Sequence, residues 1–246
     1  MRNPFRKKIK LDLYTADEGY YQNDKPTKQM DQANWLKDIK NTVTIDDDRT
    51  KSSYQLGSVK GCPGIKNLMR EGVKFHMWEH VKFRINPDGT AESLPVGFES
   101  KHPPMGQHYE EQIQGLYPKN SCAIKLNTPW QGVCDKDINF LFMESHYSTG
   151  FFRENNAYIA PGYINFKYQH ALNVHIVLPT DDEPYEIEFP YGLPLFTLYP
   201  ITERELEIDC HKLSYDDYIK LTNSFPMCPW GRYYQYVKNI AKENDY

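Results

Sequence analysis

The stretch from Ile159 to Pro200, IAPGYINFKYQHALNVHIVLPTDDEPYEIEFPYGLPLFTLYP, constrains the fold more than any other part of the chain. From Ile164 onward one set of alternate residues is Ile164, Phe166, Tyr168, His170, Leu172, Val174, Ile176 and Leu178. The intervening set includes Asn165, Lys167, Gln169, Asn173 and His175. A period of two is the mark of a strand with one buried face. The run exceeds the usual strand of roughly 5–6 residues, so a bend or bulge is expected between Gln169 and Asn173. A one-residue slip there would turn His175 to the opposite face. Tyr185–Phe189 and Leu195–Tyr199 read as two further strands, joined as a meander by a turn at Pro190-Tyr191-Gly192.

The rest of the chain reads as a β-rich body with helices around it. Ile9–Tyr14 alternates and predicts a first strand, and Glu18–Lys28 reads as loop. Trp35, Leu36 and Ile39 suggest a short helix near 30–40, and the polar stretch Thr44–Ser58 an exposed loop. After a turn at Gly61-Cys62-Pro63-Gly64, Ile65, Leu68 and Met69 share one face of a helix expected near 62–71, with Gly72 as its stop. Val73–Glu79 and Val81–Ile85 read as a hairpin, and Asn86-Pro87-Asp88-Gly89 as the next turn, with Gly supplying positive φ. Cys122–Leu126 predicts a strand ended by Asn127-Thr128-Pro129-Trp130; Ile138–Met143 predicts another, and Phe151-Phe152 an edge segment. Two helices are expected at 214–222, capped by Ser214, and at 229–242, with Trp230, Tyr233, Tyr234, Val237 and Ile240 on one face. The predicted class is mainly β, an antiparallel sandwich or barrel-like sheet with peripheral α-helices. The whole chain, 1–246, reads as one domain: a basic tail at 1–8, a β-rich core at 9–212 and helices at 213–246 packed on the sheet.

Charge and cysteine usage narrow the function. The net charge is −4, and beyond the N-terminal MRNPFRKKIK there is no basic stripe, which argues against nucleic acid as a partner. Five cysteines, with no C-x-x-C pair, read as reduced thiols in a cytoplasmic compartment. No run approaches 18 apolar residues, so no membrane span is expected. Phosphate-cradling loops and a G-x-S-x-G nucleophile motif are absent from the sequence.

The sharpest chemical candidate is His108-Tyr109-Glu110 with His170 or, as an alternative, His175. A His-x-Glu pair plus a distant His is the facial triad of non-haem iron(II) enzymes, and alternate residues of a strand share a face. The divalent metal expected at such a site is iron. Against this, the first arginine after His170 is Arg204, too far along to hold an oxoglutarate carboxylate. His170 lies on the apolar face, where a buried neutral imidazole is the simpler expectation. Trp130, Tyr168 and His175 are candidates to line a ligand site at a barrel mouth.

Several segments carry a resemblance: CPGIKNLMREG with the following MWEHVKF, KLNTPW, PGYINFKYQH, and FPYGLPLFTLYPITERELEI. Together they resemble a protein family encoded by large T4-like tailed phages, marine ones especially, over roughly residues 8–220. That resemblance implies a viral origin, and action in the host cytoplasm or on the virion, rather than an activity. The segment from Ile159 to Ile201 is also loosely similar to the last strands of cupin-like and dUTPase-like barrels, which would imply a nucleotide or sugar-nucleotide binder. The dUTPase motifs with a catalytic Asp and a phosphate-binding Ser-Gly are not recognisable here. The sequence therefore points first to a binding or assembly protein with a host or phage protein as partner. Because sheet edges need cover, a homo-oligomer is expected as well.

Overall fold

A computed structural model describes residues 8–28, 38–94, 105–107, 115, 117–145 and 150–223. Its strands are β1 (Ile9–Thr15), β2 (Thr42–Asp47), β3 (Ser52–Gly57), β4 (Val73–His76), β5 (Val81–Ile85), β6 (Ala91–Leu94), β7 (Met105–Gln107) and β8 (Ser121–Val133). They continue with β9 (Phe140–Glu144), β10 (Tyr158–Ile159), β11 (Gly162–Ile164), β12 (Ala171–Pro179), β13 (Tyr185–Phe189), β14 (Pro194–Pro200) and β15 (Leu206–Lys212). The fold is mainly β, with few helices, as the alternating pattern predicts.

One sheet runs β10-β12-β8-β1-β15, with β7 also paired to β8. A second runs β11-β9-β14-β4, a third β13-β5-β6, and β2 pairs only with β3. Pairing is antiparallel among the described strands except for β1 and β15, which lie parallel. A single core joins the first three sheets. Leu11 and Leu13 from β1, Ile124 from β8, Val174 and Ile176 from β12, Phe83 from β5 and Phe196 from β14 are all fully or almost fully buried in it. Phe75 and Phe196 stack across β4 and β14 with centroids 4.6 Å apart.

The run beginning at Ile164 is not one strand. Ile164 ends β11 in the second sheet, and the chain then turns and crosses to β12 in the first. Asn165 causes the break: its side-chain oxygen accepts from Lys167 N–H (3.2 Å), and its amide donates to Asp137 (2.8 Å). Such side-chain-to-backbone bonds compete with a ladder. The irregularity expected before Asn173 is present, as a register slip between Ala171 and Asn173 against β8. On the β8 side the slip spans Asn127 to Gln131, so β8 passes through Pro129 instead of ending there. A bulge tolerates a residue that has no N–H. Gly132 admits Phe166 to the core, since a Cβ there would lie 2.4 Å from the Phe166 ring.

Two expected hairpins are replaced by a single longer pairing. β4 does not pair with β5, nor β13 with β14; β5 pairs with β13 and β4 with β14. The result is a bent antiparallel ribbon, its corner held by bonds from Met77 N–H to the Leu193 carbonyl and from Gly192 N–H to the Met77 carbonyl, each 2.8 Å. Bending lets all four strands turn apolar faces to the core. Asn86–Gly89 does turn the chain, between β5 and β6, with Gly89 at φ 83°.

Smaller departures have local causes. Glu18–Asn23 is a helix, because Asp17 caps the Tyr20 N–H at 3.1 Å. Phe151–Glu154 is a short helix rather than an edge strand, with Phe152 buried. β15 falls within the expected β-rich core at 9–212, though no strand was placed there, and it lies in the sheet beside β1. Thr42–Gly57 is a hairpin rather than a loop. The helix near 62–71 forms over Pro63–Arg70, and the one near 214–222 over Tyr215–Asn223, where Ser214 accepts from Asp217 N–H at 3.2 Å. The helices expected at 30–40 and 229–242 fall largely or wholly outside the described residues. No described helix is long and apolar enough to cross a membrane.

Candidate functional site

The sequence-predicted metal ligands are not brought together among the described residues. His108 and Glu110 lie outside them. His170 sits in the crossing before β12 and is tied twice to Gly132: its ring Nδ1 is 2.9 Å from the Gly132 carbonyl, and its own carbonyl accepts from Gly132 N–H at 2.8 Å. Burial pushes the imidazole below the ordinary histidine range, so it is neutral and Nδ1 is the donor. This is a structural pin at the bulge.

The predicted ligand residues have different surroundings. Trp130 is buried in the core. Tyr168 is buried and donates its hydroxyl to Asp137 at 3.0 Å. His175 lies on the opposite face of β12 from Val174 and Ile176, with Nδ1 2.8 Å from the Tyr117 hydroxyl and the two rings edge to face. Trp130 and Tyr168 thus pack in the interior, while His175 bonds Tyr117 on the opposite face of β12.

Three of the described thiols, Cys122, Cys134 and Cys210, are poor nucleophiles. Cys122 and Cys134 are buried, and burial pushes the Cys122 thiol up to about 12 and that of half-buried Cys210 to about 11. Such thiols stay protonated and weakly nucleophilic at neutral pH.

A grouping that sequence reasoning missed arises from the parallel pairing. β1 and β15 set Asp12 beside Asp209 and Tyr14 beside His211 on the outer face. His211 Nε2 is 2.6 Å from Asp12, and the His211 ring stacks on Tyr14 at 4.9 Å. Potential ligand atoms of Asp12, Asp209 and His211 lie within 4.8 Å of one another. A cation is already in place, however: the Lys10 ammonium is 3.0 Å from each carboxylate, and both hold it above the ordinary lysine range. The grouping is a satisfied ion-pair network. No local motif signals it, because Asp12 and His211 lie 199 positions apart.

The exposed feature that packing does not explain is the β2–β3 hairpin. Cross-strand pairing sets Val43 opposite Leu56 and Ile45 opposite Tyr54. Residues directly opposite share a face, as do residues two apart, so these four form one apolar face. The other face carries Thr44 with Gln55 and Asp46 with Ser53, the Ser53 hydroxyl donating to Asp46 at 2.5 Å. The tip is closed by Asp47, which accepts from Arg49 N–H (2.9 Å) and the Thr50 hydroxyl (3.0 Å). These bonds hold its carboxyl below the usual carboxylate range. The apolar face is uncovered: Val43, Ile45, Tyr54 and Leu56 are 39–46% exposed, and neither strand has a buried residue. Val59, just past the hairpin, is exposed as well. A two-stranded hairpin gains little from standing alone in water. An apolar face left open on such an element fits a protein contact.

No protein-family model matches the chain, and no curated protein matches it significantly.

Proposed function

We propose that this chain is a binding or assembly protein that docks on a second protein through the apolar face of the Thr42–Gly57 hairpin. The observation that carries the reading is the exposure of Val43, Ile45, Tyr54 and Leu56 side by side on an element that adds nothing to the core. The distribution of the other reactive groups supports it: His170, Cys122 and Cys134 are used in packing, and Asp12, Asp209 and His211 are closed by Lys10. A large tailed phage is the proposed origin, on the strength of the segment resemblances, with the host cytoplasm or the virion as the place of action and a phage or host protein as partner.

The test is site-specific photo-crosslinking in infected host cells, with the photoreactive residue placed at Tyr54 or, as control, at Gln55 on the polar face. The expected outcome is one discrete adduct from position 54 that disappears when Ile45→Asp is added. Equal adducts from both faces, or none from position 54, would overturn the reading.

A further inference from the structure

Strand β15 is the terminal strand of its sheet, and the hydrogen-bond pattern shows which backbone groups it leaves open. Ile9 N–H donates to the Glu205 carbonyl at 2.8 Å, and Leu213 N–H to the Thr15 carbonyl at 2.9 Å. In a parallel ladder a residue turns both backbone groups to the same neighbour, and alternate residues do so. Glu207, Asp209 and His211 thus bond to β1, while Leu206, Ile208, Cys210 and Lys212 point their N–H and C=O groups away from it. No backbone partner meets those outward groups among the described residues. Lys25–Lys28 and Ile208, Asp209 and Cys210 together line an open groove of about 450 Å³ along this edge. An unpaired edge of this length invites another strand.

We infer that β15 pairs with β15 of a second copy of this chain, antiparallel about a two-fold axis at Cys210. The charge pattern selects this register. For the outward groups to bond, even-numbered residues must face even-numbered ones. An axis at Ile208 sets Glu207 against the second copy's Asp209, and an axis between the two Asp209 residues sets them against each other; like charges directly opposite are destabilising. An axis at Cys210 sets Asp209 against the second copy's His211, twice, and Ile208 against the stem of Lys212. Lys10 and Asp12, already bonded to Asp209 and His211, extend this into a network crossing the axis. The two sheets become one, running β8-β1-β15-β15-β1-β8. The hairpin is not part of this contact, so the inference stands independently of the docking role proposed for it.

Two measurements on the full chain test it. Sedimentation velocity at micromolar concentration should show a dimer, and Ile208→Pro should shift it to monomer with its circular dichroism unchanged, because the N–H removed has no partner among the described residues. In a C62S/C228S background, copper–phenanthroline should join the two Cys210 thiols, which give up two electrons and two protons to the oxidant. The Cα atoms of such a directly opposed pair lie about 5.5 Å apart, within disulfide reach. This second reading needs no proline variant to fold. A monomer at every concentration would overturn the inference and leave the edge to an extended segment of a different protein. A dimer that survives Ile208→Pro, or that gives no covalent product through Cys210, would overturn it equally.

Discussion

Two antiparallel ribbons of the molecule are built on opposite terms. The bent ribbon of β4 and β5 against β14 and β13 joins segments 100 or more residues apart and turns Val73, Phe75, Phe83, Ile187, Phe189 and Phe196 into the core. The β2–β3 ribbon joins neighbouring segments, closes on a short turn, and leaves four apolar side chains in water. Burial of apolar surface supplies the stability of the first, at roughly 25 cal/mol per Å² removed from water. The second gains almost none of it. That contrast, an apolar face formed and left unburied, is the ground for proposing that the hairpin serves binding.

The largest break in the comparison comes from the buried ribbon. Phe196 is fully buried, stacked on Phe75 and edge-on to Phe142 at 6.4 Å. Phe196→Ala should cost about 3–5 kcal/mol in urea denaturation. A smaller effect is expected from Gly132→Val, whose new side chain would collide with Phe166; overpacking of this kind costs about 1–3 kcal/mol, read as a lower thermal midpoint. His170 gives a smaller effect still, visible only against pH. Its folded pKa lies below the 6.5 of a free histidine, because burial disfavours the charged form. The unfolded chain therefore binds the proton more readily. The stability from neutral His170 is full above about 6.5 and is lost as pH falls through the folded value. His170→Gln should flatten that acid limb of the stability–pH curve. The smallest effect belongs to the hairpin, where Ile45→Asp should change stability by no more than about 0.5 kcal/mol, the range of exposed substitutions.

The sequence made the elements far more legible than their partners. β1, β5, β9 and the helices at Pro63–Arg70 and Tyr215–Asn223 follow from local periodicity and caps, and lie close to where the residues predict them. Pairing did not follow. Proximity along the chain favoured β4 with β5 and β13 with β14, yet the distant pairing is the one that forms, with Met77, Trp78 and Leu193 buried at its corner. The hairpin was hidden for a different reason. Its alternation rests on two apolar residues per strand, and its turn has Lys51 at φ 53°, where a glycine or asparagine would have announced it. The crossing at Asn165 was masked because Phe166 and Tyr168 stay buried through the turn and so continue the alternation. Of the candidate site residues, His170 was legible in part: it is neutral and hydrogen-bonded to backbone, though half-buried rather than buried. The Asp12–His211 contact was not, since it exists only once β1 and β15 lie side by side.

The most direct test of the contrast is to replace Thr42–Gly57 with a short Gly-Ser turn and follow thermal unfolding by circular dichroism. A hairpin that serves binding leaves the cooperative transition and its midpoint within a few degrees of the parent chain. A collapsed or broadened transition would mean that Val43, Ile45, Tyr54 and Leu56 support the fold itself, and would contradict the assignment of that face to a partner.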